Sequence, residues 1–243
     1  MPRRERPSVT RGSEYWLRIL VNQHAVYFNH LIAAAFEWND SQIEWKSPVR
    51  YDDFAEYYDQ DFLDRLNVTD LMMPLNEFWP RSGPRWDGLA RTDDGKLILL
   101  EAKAHIEECI DFRSRASGAS IKKIYKRLDE AKKAFHASKN ASWYTPFYQM
   151  ANRLAHLYYL SEINEKDAYM VFLYFANAPD VKNPVSHESW DGAIRLAWKC
   201  LGLSDCILLR RVAHIIINVK EINCQVSLLQ LKEARVVPGM NDR

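Results

Sequence analysis

Apolar positions recur along this chain in two rhythms. Between Glu14 and Trp38, Trp16, Leu17, Leu20, Val21, Ala25, Phe28, Leu31, Ile32 and Ala35 fall three and four apart, predicting a helix with Ser13 as N-cap. Pro48 interrupts regular structure around 43–49. Phe54, Tyr57 or Tyr58, Phe62 and Leu66 then give a second helical stripe over about 51–66. Leu71 to Trp79 is a strand candidate weakened by Pro74, and Pro80 to Pro84 is a turn cluster. Two short apolar runs, 86–91 and 97–104, flank Thr92-Asp93-Asp94-Gly95-Lys96, which predicts a hairpin. Helices are expected over Ala119–Ser138, from Thr145-Pro146 to about Leu160, and over Ser189–Leu201. The apolar run Ala168–Phe175 suits a strand buried on both faces, and Ala213–Ile222 a last strand. The order α, α, β, β-hairpin, α, α, β, α, β predicts an α/β sandwich with a mixed sheet.

Composition changes this picture little. At 243 residues the chain suits one large domain, expected over 13–233 between a flexible arm at 1–12 and a tail at 234–243. Eight glycines argue against a Gly-rich nucleotide-binding loop. The net charge of +1 is uninformative, but its distribution is not: 51–70 is acidic and 113–139 is basic. A basic segment is either a polyanion footprint or a solvated helix face. Cys109, Cys200, Cys206 and Cys224 form no CxxC pair or zinc-like spacing and are expected as reduced, buried thiols. With no apolar run near 18 residues and no signal-peptide pattern, no membrane association and a cytoplasmic location are expected.

Chemistry concentrates at the hairpin. A three-residue loop Asp93-Asp94-Gly95 pairs Thr92 with Lys96 and, counting back, sets Asp87 opposite Glu101; a two-residue loop shifts the register by one. Alternation puts Leu97, Leu99, Glu101 and Lys103 on one face and Ile98, Leu100, Ala102 and Ala104 on the other. Two adjacent carboxylates repel unless a hard cation lies between them. Mg²⁺ uses one or two protein carboxylates and leaves its other positions to water and phosphate oxygens. The bland alternative is a salt bridge from Lys103 to Asp87 or Glu101. His105 follows on the same face, as a substrate contact or as a hydrogen-bonded strand-end histidine. Gln149, Asn152, Arg153 and His156 form a polar band on the 146–160 helix, a solvent face in the ordinary case.

Asp87 and Glu101-Ala102-Lys103 resemble the motif of the PD-(D/E)xK nuclease superfamily. The resemblance implies a restriction-endonuclease-like three-layer core, a mixed central sheet flanked by helices, of order helix, three-strand meander, helix, strand. It would map to the helix at 51–66, strands at 71–79, 86–91 and 97–104, the helix at 146–160 and the strand at 168–175, a core of about 51–175 with a basic helical insertion at about 113–139. It implies metal-dependent hydrolysis of phosphodiester bonds. Asp87, Glu101 and the Ala102 carbonyl would hold Mg (or Mn), Lys103 would assist the attacking water, and Glu56 would serve as the helix acid, with Asp52, Asp59 and Glu14 as rivals. Nucleic acid, DNA before RNA, would meet Lys122, Lys123, Lys126, Arg127, Gln149 and Arg153, although Arg153 stands where some members carry Tyr. A homodimer is compatible with this reading. The alternative is a catalytically inactive module of the same fold that binds nucleic acid or a protein.

Overall fold

Alternating side chains on two short strands organise the molecule. The computed structural model describes residues 9–39, 42–111, 114 and 116–222. The expected tail, most of the N-terminal arm, Arg113, Arg115 and Cys224 lie outside them. β2 (Gly88–Thr92) and β3 (Leu97–Lys103) pair antiparallel from Gly88↔Leu100 to Arg91↔Leu97. The three-residue turn closes with Thr92 N–H donating to the Lys96 carbonyl at 3.0 Å. Gly95 takes φ +97°, a conformation glycine adopts without strain. β1 (Ile43–Ser47) flanks β2 antiparallel. β4 (Ala168–Ala176) runs parallel to β3, and β5 (Val212–Asn218) parallel to β4. The mixed sheet therefore has the order β1-β2-β3-β4-β5.

The sheet divides two apolar cores. Ile98, Leu100, Ala102 and Ala104 join Val171, Leu173, Phe175, Ile215 and Ile217 beneath α1 (Gly12–Gln23) and α2 (Ala25–Ala35). Leu97 and Leu99 join Leu89, Met170 and Phe172 on the opposite face. That face is covered by α5 (Gly118–Ala134), α6 (Tyr148–Tyr158) and α7 (His187–Cys200), preceded in the chain by the short helices α3 (Gln60–Arg65) and α4 (Leu75–Phe78). The result is a mixed sheet with helices on both faces, the α/β arrangement that the order of elements predicts. Each fully buried Leu or Phe contributes about 1.5–3 kcal/mol, so a charge at Leu99, which has no exposed surface, would break the β3–α6 packing.

Several expected elements differ. The helix over 14–38 is two helices, because His24 leaves helical geometry at φ −130°. Asn22 beside it is anchored to the loop after β1, donating to the Pro48 carbonyl and accepting from the Arg50 N–H. β1 lies where Pro48 argued against regular structure; the proline ends this edge strand and does not exclude it. The 51–66 helix is reduced to a 3₁₀ turn (Arg50–Asp52) and α3, because Asp53, Phe54 and Asp59 all take positive φ between them. The 71–79 strand is instead α4, with Pro74 at its N-cap, where the missing N–H costs nothing. The strand that flanks β2 at the sheet edge is thus β1, not 71–79. The last strand stops at Asn218, and residues 219–222 are helical.

α5 is no detached insertion. Ile124, Leu128 and Ala131 are buried, and the helix packs on α6. Cys206 is buried as expected, but Cys109 is half-buried and Cys200 exposed; all three are free thiols. No helix among the described residues is long and apolar enough to cross a membrane.

Candidate active site

β2 begins at Gly88, and its register continued back by one residue sets Asp87 opposite Glu101, as the three-residue loop predicts. Gly88 lets the strands approach closely here: a Cβ would lie 3.2 Å from both the Leu100 Cβ and the Trp45 ring, tighter than ordinary contact. Beyond the ladder, Asp87 Oδ2 accepts the Ala102 N–H at 2.8 Å, so the side chain takes the place of the missing strand residue. The N–H and carbonyl of one strand residue leave on the same side. The Ala102 carbonyl therefore also faces the Asp87 side.

Glu101 is the hub. Its Oε1 accepts from Lys103 Nζ. Its Oε2 accepts from Arg153 Nε at 2.7 Å, with Nη2 at 2.6 Å. Arg153 Nη2 also donates to the Arg85 carbonyl at 2.9 Å, and the guanidinium lies 5.0 Å over the Trp86 ring. Glu101 and Arg153 are 3% and 4% exposed, so the pair is desolvated and geometrically fixed.

The cluster shapes its own protonation. Asp87 retains some surface access, but burial first, and the Glu101 carboxylate second, push its carboxyl up to about 8. Burial also pushes Glu101 upward, but the charges and hydrogen bonds of Arg153 and Lys103 outweigh it and hold Glu101 below the usual range. Burial would lower Lys103; the Glu101 and Asp87 carboxylates overcome this and hold it above its ordinary value. One carboxylate is thus firmly ionised and its neighbour is poised near neutrality. Cys109 sits close enough to feel Lys103 and the nearby glutamates, and burial raises its thiol to about 11, which leaves it inert.

The remaining predicted residues disperse. Glu56 is not on a helix; it lies in extended chain beside the Tyr57–Trp86 antiparallel bridge, which brings its backbone alongside Asp87. Asp52 is engaged by Tyr57 and Arg65, and Asp59 accepts the Ser82 and Gly83 N–H groups. Glu14 pairs with Arg18 on α1. His105 precedes the 3₁₀ turn Ile106–Cys109, and its N–H donates to Glu108. Arg153 is no solvent-facing phosphate contact: it is buried on Glu101. Asn152 and His156 are buried too, so the band expected as a solvent face is internal. Burial lowers His156 to about 3 and keeps it neutral. Gln149 is partly exposed. On α5, Lys123 donates to the Asn76 carbonyl, and Arg127 donates to the Glu77 carbonyl and pairs with Glu130. These two cations complement the C-terminal end of α4, which leaves Lys122 and Lys126 exposed.

Sequence reasoning missed the Arg153–Glu101 pair. The available signal was Ala151, Leu154, Ala155 and Leu157 around Arg153, a helix apolar on nearly every side and therefore buried. No family model, curated protein or solved structure matches this chain.

The donor set suits a small hard cation. Two carboxylates and a strand-end carbonyl are all oxygen, as Mg²⁺ and Mn²⁺ prefer. Among the described residues no group of three or more His, Cys, Asp or Glu could hold a metal. A Mg²⁺ that keeps water and substrate oxygens needs no third carboxylate.

Proposed function

We propose that this protein is a metal-dependent nuclease that hydrolyses phosphodiester bonds at Asp87, Glu101 and Lys103. The observation that carries this reading is their convergence: two carboxylates set opposite each other by strand register, with an ammonium on the same face. The sheet supports it. The helix pair α1–α2, the meander β1–β2–β3, helix α6 and strand β4 follow the helix, meander, helix, strand order of the restriction-endonuclease-like core. In that assignment β1 replaces 71–79, α1–α2 replaces 51–66, and Glu14 on α1 would take the place of Glu56, which lies outside any helix, as the helix acid.

Asp87 and Glu101 would hold Mg²⁺ or Mn²⁺, with the Ala102 carbonyl as a further ligand. Bound there, the ion lowers the pKa of a coordinated water and neutralises phosphoryl charge. Lys103, anchored on Glu101, places a fixed positive charge beside the phosphate and stabilises charge developing in the transition state. Arg153 positions Glu101 by holding one oxygen from the α6 side, and Trp86 and the Arg85 carbonyl hold Arg153 in turn.

A second reading has one specific observation behind it. With both carboxylates ionised, Lys103 and Arg153 balance them, so the cluster is neutral without a metal. An inactive module of this fold, binding nucleic acid or a protein, would keep it as an internal ion-pair network. Plasmid DNA and a single-stranded oligonucleotide incubated with Mg²⁺ or Mn²⁺ separate the two. Cleavage by the wild type, lost at least a hundredfold in Asp87→Asn, Glu101→Gln and Lys103→Met with folding intact, supports the nuclease. Cleavage unchanged in all three variants, or absent from the wild type with either ion, overturns it.

A further inference from the structure

The turn cluster between α4 and Asp87 carries two cations that the cluster of carboxylates does not use. Arg81 and Arg85 are exposed. Among the described residues neither guanidinium donates a hydrogen bond or meets a carboxylate. Arg65, Arg127 and Arg153, on α3, α5 and α6, are each paired with an acid.

The loop beneath the two arginines is held at several points. Pro84 is buried. Asp59 accepts the Ser82 N–H at 2.9 Å on one oxygen and the Gly83 N–H at 2.8 Å on the other. The Trp86 N–H donates to the Tyr57 carbonyl at 3.0 Å. The Arg85 carbonyl accepts from Arg153, the side chain that also holds Glu101. Asp59 is thus occupied by the loop backbone and neutralises neither arginine directly. The Arg85 guanidinium lies 4.5 Å over the Tyr58 ring. Stacking on a ring presents the planar fork of donors in one orientation, and a preset orientation lowers the cost of meeting a ligand. Arg85 is two residues from Asp87, so their Cα atoms are no more than about 7 Å apart.

A preset guanidinium with no acid of its own fits the paired oxygens of a phosphate. The phosphate at Asp87 and Glu101 is the one to be cut, and Lys103 already serves it. Further phosphates beside it exist only when the substrate is a strand. We propose that the 80–85 loop binds the backbone of a nucleic-acid strand on one side of the cut, Arg85 receiving the phosphate next to the scissile bond and Arg81 one further along. Such contacts fix the strand's register and read no sequence. The substrate is then a polymer and not a mononucleotide ester. The proposal rests on the nuclease reading for what happens to the strand; binding to the loop needs no metal.

Fluorescence anisotropy of the full chain with a labelled single-stranded oligothymidylate, in EDTA so that nothing is cut, tests this. Each phosphate contact to a single strand contributes about 0.7 to the fall of log K with log salt. Arg81→Gln and Arg85→Gln, both at exposed positions, should each flatten that slope by about 0.7, and the double variant by about 1.4. Arg85→Lys keeps the charge and loses the fork, so it should retain the slope and bind more weakly than the wild type. An Arg85–Tyr58 stack with only a structural role would leave the slope of Arg85→Gln unmoved. An unmoved slope in the double variant, or no binding by the wild type at about 50 mM salt, would overturn the proposal. Slopes that fall as expected in a protein that cuts nothing support the loop's role while the nuclease reading fails. Cleavage with unmoved slopes does the reverse.

Discussion

Asp87 and Glu101 are chemically alike and one strand apart, yet their surroundings drive them in opposite directions. Glu101 receives Lys103 and Arg153; Asp87 receives a backbone N–H and the field of its neighbour. The consequence for stability has a definite sign. An unfolded chain releases the Asp87 proton near pH 4, whereas the fold holds it until about 8. The native state therefore binds the extra proton across that window, and this residue's contribution falls as pH rises, by up to about 1.4 kcal/mol per unit. His156 and His214, lowered to about 3 and about 4 by burial, act in the opposite sense between their folded values and about 6.5. Their contribution is common to wild type and variant and cancels in the difference. Metal-free thermal melts should therefore find Asp87→Asn increasingly more stable than the wild type from pH 5 to pH 8. A difference that stays flat over that range would remove the case for a strained carboxylate pair.

At the scale of elements, the hairpin was legible because its information is local. The turn residues, the alternation and the loop length fixed which faces Glu101 and Lys103 occupy and put Asp87 opposite Glu101. What precedes it was less legible because contacts distant in sequence decide it. The Pro48–Asn22 bond couples α1 to the end of β1, and positive φ at Asp53, Phe54 and Asp59 breaks a helical pattern that the apolar spacing alone supports. Burial of α6 was likewise invisible in a polar band of four residues; it follows from α5 and the sheet closing on both sides. On α5 the same logic sorts the cations. Lys123 and Arg127 are engaged at the end of α4, so Lys122 and Lys126 should carry the helix's share of phosphate contact. The double variant Lys122→Glu, Lys126→Glu should flatten the dependence of log K for duplex DNA on log salt by about 2, at roughly 0.9 per phosphate contact. An unchanged slope would make this surface a solvated face and nothing more.

Across the whole molecule, Arg153 on Glu101 is an electrostatic tie between the α6 layer and the central sheet, placed where the parallel and antiparallel halves of that sheet meet. Removing one member of a buried pair costs about 3–5 kcal/mol, because the other charge is left uncompensated. Arg153→Leu should therefore destabilise the metal-free protein by an amount of that order. The same variant leaves the Asp87–Glu101 pair with one positive partner in place of two, which makes a divalent cation more welcome. Mn²⁺ at about a hundred times its dissociation constant stabilises a folded protein by about 2.7 kcal/mol. For a protein of this size that corresponds to a rise in Tm of about 5–10 °C. The wild type should gain in that range, Arg153→Leu should gain more at the same Mn²⁺ concentration, and Asp87→Asn should gain little. If Mn²⁺ stabilised Arg153→Leu no more than the wild type, Arg153 and the metal would not be alternative partners for the same carboxylates, and the tie would be structural alone.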